Sequence, residues 1–210
     1  MLAEPSEHII YQRDDLYNPM FEELFESEKI VFRKISGEGL MAVVDEKARY
    51  CFSTLIPATS ISNVAHVDRS GIPDETDACH EYTDMYYALA LVNSTLMDWY
   101  YQTNLSDDLS VVPGHIQQLP IAEIDFDSSG ETIEDAMELY ESGINGKTSE
   151  ELLASAQKQM NAGDEVFVHD LLSRIAQLIS EYNRELVTLN LNLLDYLGNY
   201  EEGPILPDIG

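Results

Sequence analysis

Few residues in this chain are arranged for chemistry. The histidines His8, His66, His80, His115 and His169 share no common spacing. Cys79 and His80 are adjacent, so their side chains diverge and do not readily meet on one metal ion. Cys51 and Cys79 form no CxxC pair, and two cysteines make no disulfide framework. No glycine-rich phosphate loop or G-x-S-x-G elbow is present. Asp107-Asp108 is read as solvated surface, since 39 acids are scattered through the chain. The cations stand out instead. Of 11 Lys and Arg, Lys29, Arg33, Lys34, Lys47 and Arg49 fall within residues 29–49, against Glu38, Asp45 and Glu46. Lys and Arg offer charge-assisted hydrogen bonds to phosphate, while Gly37 and Gly39 permit close backbone approach. The candidate contact set is Arg33, Lys34, Ser36, Lys47 and Arg49. Simple pairing with nearby acids would account for the same cations.

The elements that must position this set follow from the apolar pattern. KIVFRKI, LMAVV and YCFSTLI are β-type runs parted by GEG (37–39) and DEK (45–47), a meander of strands. If Val31 and Ile35 face the core, alternation sends Arg33 inward and makes Lys34 the better phosphate ligand. Lys29 then lies at the strand's far, more structural end, and Arg49 shares the face of Lys47. PMFEELFES before the strands has helical spacing. Tyr82, Met85, Tyr86, Leu89, Val92, Leu96 and Trp99 mark an amphipathic helix that can break at Asn93-Ser94. HIQQLPIAEIDF reads as a strand-like finish. Residues 129–163 suggest two short helices, the second capped by Thr148-x-x-Glu151 and stopped at Gly163.

From an N-cap at Asp164, one long helix is expected to reach Gly198. Val168, Leu172, Ile175, Ile179, Tyr182, Leu186, Leu189, Leu193 and Tyr196 form a heptad seam that calls for a partner helix. The expected fold class is α+β, a small mixed or antiparallel sheet with packed helices followed by a long coiled-coil-like C-terminal helix. The expected division is 1–128, 129–163 and 164–210.

A net charge of −28 spread over the sequence strains a compact state unless concentrated salt screens it. A halophilic cytoplasm is the expected setting. No signal-peptide pattern and no long apolar span is apparent, so a soluble, cytoplasmic protein is expected.

Asn18-Pro19-Met20-Phe21 superficially resembles the N-P-P-Y loop of adenine amino-methyltransferases. It lacks the second proline, and the 17 residues before it cannot build a methyl-donor site, so no catalysis is assigned to it. The order KIVFRKISGEGLMAVVDEKARYCFS, YYALALVNSTLMDWYYQ and HIQQLPIAEIDF, however, resembles the TaqI-like C-terminal specificity domain of adenine DNA methyltransferases in restriction–modification and phage-defence systems. The matching stretches are Lys29–Ile35, Gly37–Asp45, Leu89–Tyr101 and Ile116–Ile121, with Ala122 in place of the usual final proline.

The resemblance implies a target-recognition module over about residues 25–126 that binds double-stranded DNA and is not catalytic by itself. It implies no cofactor on this chain, because S-adenosylmethionine would bind a separate methyltransferase domain. The C-terminal helix would dock on that domain or on a second specificity unit. The alternative is a protein-interaction scaffold that uses the same helix without DNA binding.

Overall fold

The computed structural model describes residues 22–35, 39–64, 84–106, 110–122, 124, 126 and 149–198, the last nine of these as helical backbone only. Within them, a short helix α1 (Glu22–Glu26) precedes strand β1 (Lys29–Arg33). Strands β2 (Ala42–Asp45) and β3 (Leu55–Ala58) flank β1, each antiparallel to it, giving the order β2-β1-β3. Then come α2 (Ile61–Val64), α3 (Met85–Val92), α4 (Thr95–Asn104), α5 (Pro113–Ile116), α6 (Ser149–Ala162) and α7 (Glu165–Gly198). The fold class is α+β: an antiparallel sheet, packed helices and a C-terminal helix of 34 residues, about 51 Å long at the usual rise.

β1 is central in the sheet, and because layers also cover both of its faces its burial does not alternate. Ile30 and Phe32 point to the inner face and join Ala42, Val44, Leu89, Val92 and Met97 in the main core. Lys29 and Val31 point to the outer face and are buried too. This overturns the inward placement of Arg33: it lies at the strand's end, where the covering layer stops, and it is exposed. Ile35 is exposed as well, in an isolated bridge to Ser110. YCFSTLI is a strand only from Leu55, since residues 46–54 form a connection. Pro57 suits the edge strand β3, because the donor it lacks would point away from β1. HIQQLPIAEIDF opens inside a helical turn over residues 113–116 begun by Pro113, and no strand follows among the described residues.

The helix expected over residues 82–101 does break at Asn93-Ser94. Ser94 caps α4, its Oγ accepting from Met97 N at 3.1 Å and donating to Leu91 O at 2.6 Å. Asn93 turns its side chain to the open edge of β2. Its Oδ1 accepts from Ala42 N at 3.0 Å, and its Nδ2 donates to Ala42 O at 2.9 Å. The amide thus replaces a neighbouring strand for one residue pair.

α6 ends at Gly163, which takes φ +83°, and Asp164 then caps α7 by accepting from Phe167 N at 3.1 Å. The first half of α7 packs on α3 and α6: Phe167, Leu171 and Ala176 are buried, and Ala176 belongs to the main core. Ser173 donates to Asp84, the cap of α3, which ties the two helices. Along the heptad seam, Val168, Leu172 and Ile175 are half-buried, whereas Ile179 at 53 % and Leu186 at 57 % are exposed.

Candidate nucleic-acid interface

The candidate cations divide according to what lies across the strand from each. Lys29 is opposite Asp45 in the β1–β2 register. Both side chains are fully buried, with Lys29 Nζ 2.8 Å from Asp45 Oδ2. Lys29 Nζ also donates to Phe25 O at 2.5 Å and Ser27 O at 3.3 Å, joining α1 to the sheet. Lys29 is structural, as its place at the strand's far end suggested.

Asp45 holds the next segment in shape. Its carboxylate accepts from Lys47 N at 3.2 Å and Arg49 N at 2.9 Å, and from Arg49 Nη1 at 3.0 Å. Burial by itself would raise the Asp45 carboxyl pKa. The hydrogen bonds from Lys29 and from those two backbone N–H groups outweigh burial and hold it below its ordinary value. Ala48 between them takes φ 51°, a left-handed conformation that costs a non-glycine residue energy. Arg49 is therefore at least partly committed to Asp45, whereas the side chain of Lys47 is exposed.

β2 and β3 both run opposite to β1. Residues 46–54 must therefore travel from the Lys29 end of the sheet back to the Arg33 end. They cross the outer face, where Tyr50 stacks on Phe25 with centroids 4.8 Å apart and donates to Glu26 at 3.2 Å. The crossing ends in a turn closed by Leu55 N donating to Phe52 O at 2.9 Å. There Lys34 N donates to Thr54 O at 3.0 Å and Arg33 pairs with Leu55. Among the described residues neither Arg33 nor Lys34 has an ion-pair partner. The crossing segment thus links two groups of cations, Lys47 with Arg49 and Arg33 with Lys34. The β1 residues at its two ends, Lys29 and Arg33, are about 13 Å apart by strand rise.

Ser36 and Gly37 lie outside the described residues, as do His8, His66, His80, Cys79 and the N-P-M-F stretch. Gly39 is described, and the close approach its lack of a side chain permits is taken by Asp98. A Cβ at Gly39 would lie 1.8 Å from Asp98 Oδ1, which accepts from Leu40 N at 3.0 Å. A carboxylate thus occupies the place the sequence suggested for phosphate. His115 and His169 sit in aromatic packing against Tyr101 and Tyr87, and among the described residues no His, Cys, Asp and Glu group could hold a metal.

One further arrangement escaped the sequence reading. A groove of about 480 Å³ separates the β2 edge from α3 and α7, with Val44, Leu89, Ile175 and Ala176 among its lining. Arg184 crosses it to pair with Glu46 at 3.0 Å, and Tyr86 donates to the same carboxylate. Burial and that hydrogen bond push the Tyr86 hydroxyl up to about 12. Nothing in the spacing of Glu46, Tyr86 and Arg184, up to 138 residues apart, signals that they meet.

No helix among the described residues is long and apolar enough to cross a membrane. No curated protein and no solved structure matches the chain. Its sequence does match the TaqI-like C-terminal specificity domain over residues 2–121, a span that takes in β1, β2, β3, the crossing segment and both halves of the broken helix. With more than half of its length so matched, the protein belongs to the TaqI-like C-terminal specificity domain family, which supports a DNA-recognition role in methyltransferases.

Proposed function

We propose that this chain is the non-catalytic DNA target-recognition part of an adenine-specific methyltransferase of a type II/IIG-like restriction–modification or phage-defence system. It binds double-stranded DNA with the segment that crosses the outer face of its sheet. One observation carries the reading: in a chain of net charge −28, Arg33, Lys34, Lys47 and Arg49 gather along one crossing segment within the family's span. A separation of about 13 Å between its ends is close to the width of a B-DNA major groove, about 12 Å. The cations can therefore reach phosphates on both sides of a groove while the segment between them faces base edges.

Methyl transfer and S-adenosylmethionine belong to a separate domain in this reading, so the purified chain should transfer no methyl group to DNA. The partner docks on the exposed seam of α7 at Ile179, Tyr182, Leu186 and Leu189. The high acidic charge suits a concentrated-salt cytoplasm, where repulsion is screened and counterion release contributes less to DNA affinity. Lowering KCl from molar to tens of millimolar should then lower the melting temperature.

The decisive experiment is fluorescence anisotropy with duplex DNA over a KCl series. The Arg33→Ala/Lys34→Ala/Lys47→Ala variant should bind more weakly on every sequence, with the salt slope reduced by about one unit per cation. Unchanged affinity would refute the assignment.

The open stripe on α7, Ile179, Tyr182, Leu186 and Leu189, favours a second reading as a scaffold without DNA binding. Replacing Ile179 and Leu186 with Asp separates the two. Under the first reading the monomer still binds DNA and loses its partner; under the second, DNA binding is absent from the start.

A further inference from the structure

Phe52 is the aromatic side chain of the outer face that folding does not use. It is 70 % exposed, whereas Phe25 is buried and Tyr50 is stacked on it. Its backbone, by contrast, is well fixed. The segment that carries it is anchored at one end by Asp45 and the buried Lys29, and in the middle by Tyr50. At the other end it is held by the turn from Phe52 O to Leu55 N. A single exposed ring is ordinary on a protein surface, but one held on an ordered backbone beside Arg33 and Lys34 has the make-up of a binding contact.

Its neighbours indicate the kind of partner. Lys34 and Arg33 lie beside the turn that Phe52 opens, with Lys47 and Arg49 at the other end of the same segment. Leu96 and Trp99 on α4 are exposed too, but they flank Asp98 and have none of these cations within their helix. An apolar side chain among cations suits a ligand that is anionic at its rim and apolar within, which describes a DNA groove. Phenylalanine has no hydrogen-bonding group. The apolar feature it can read on a base edge in the major groove is the 5-methyl group of thymine.

We propose that Phe52 is a specificity-determining residue that contacts a thymine methyl group in the recognised sequence. This rests on the reading of the chain as a DNA-binding specificity domain. The phosphate contacts of Arg33, Lys34 and Lys47 set the register, and Phe52 reads one base step within it.

The test uses the full chain and a pool of 30-bp duplexes with a randomised centre, selected at fixed KCl by the wild type, Phe52→Ala and Phe52→Leu. The selected duplexes are then remade with deoxyuridine for each thymine in turn. The wild type should require thymine at one position and bind roughly fourfold more weakly when only its methyl group is removed, the factor expected for one methyl group returned to water. Phe52→Ala should lose that preference and ignore the deoxyuridine change, while Phe52→Leu keeps part of both. Melting temperatures should match, since the side chain is exposed.

If Phe52→Ala selects the same sequences as the wild type, the contact is refuted while DNA binding stands. Duplex bending without deoxyuridine sensitivity, read by end-to-end energy transfer, would replace it with an inserted wedge. If the wild type binds no duplex at any KCl concentration, the reading of function fails together with the contact.

Discussion

The two ends of β1 carry the same kind of residue in opposite environments. Lys29 is sealed against Asp45, whereas Arg33, four residues along, faces Met41 and is exposed. Two things differ between the ends: the covering layer stops before Arg33, and the cross-strand neighbour changes. A carboxylate directly opposite can neutralise a buried ammonium, while a methionine cannot, so Arg33 stays at the surface. The local density of cations that first drew attention to residues 29–49 is thus the sum of two effects, one structural and one available for recognition. Buried charge also sustains exposed charge here: the Lys29–Asp45 pair holds the backbone from which Lys47 projects, while the half-buried Arg49 pairs with the same carboxylate.

The largest expected effect comes from breaking the buried end. Asp45→Asn leaves the Lys29 ammonium without its counter-ion and should cost about 3–5 kcal/mol in urea unfolding. A cost below about 1 kcal/mol would mean that water reaches Lys29 and that the contrast between the ends is false. Lys29→Met combined with Asp45→Leu removes both charges and should recover only part of that loss. The N–H groups of Lys47 and Arg49 would still lack their acceptor.

Acid acts on the same end. The folded-state pKa of Asp45 is lowered from its ordinary 3.8, so the folded protein binds fewer protons than the unfolded chain. Its stabilisation is complete above about pH 4 and is lost as pH falls through the folded value. In Asp45→Asn that part of the acid transition should disappear, as followed by circular dichroism from pH 7 to pH 2.

Next in size is Asn93→Ala. It strips Ala42 of both its side-chain hydrogen bonds and should cost about 1–3 kcal/mol, because a strand-edge donor and acceptor lose their partners. Hydrogen exchange should quicken at Ala42 before it does at Val31. The smallest stability effect belongs to the open end: Arg33→Ala and Lys34→Ala should stay within about 0.5 kcal/mol of the wild type. A destabilisation like that of Asp45→Asn would show that these cations, too, serve the fold.

Much of the fold was legible because local chemistry wrote it. Gly163 and Asp164 mark the α6–α7 joint, Ser94 marks the restart of the broken helix, and the apolar runs at 29–33 and 42–45 are strands. The errors arose where an inference needed the partner surface. The alternation rule failed for Arg33 because β1 is covered on both faces as far as Phe32 and the cover ends before Arg33. The glycine rule was sound at Gly39, but the group that approaches it came from α4, 59 residues away.

By itself the sequence determined the class of fold, the cap of α7 at Asp164, the family and the stretch in which the scarce cations lie. These depend on neighbours a few residues apart or on the order of motifs, both of which a chain carries before it folds. Tertiary structure alone decided which cation is buried and which is presented, since register sets Lys29 against Asp45 and Arg33 against Met41. It also decided that α7 finds a partner in α3 while Ile179, Tyr182, Leu186 and Leu189 on its seam stay exposed. A heptad repeat specifies an apolar face, but only the extent of the packed body determines how much of that face is covered.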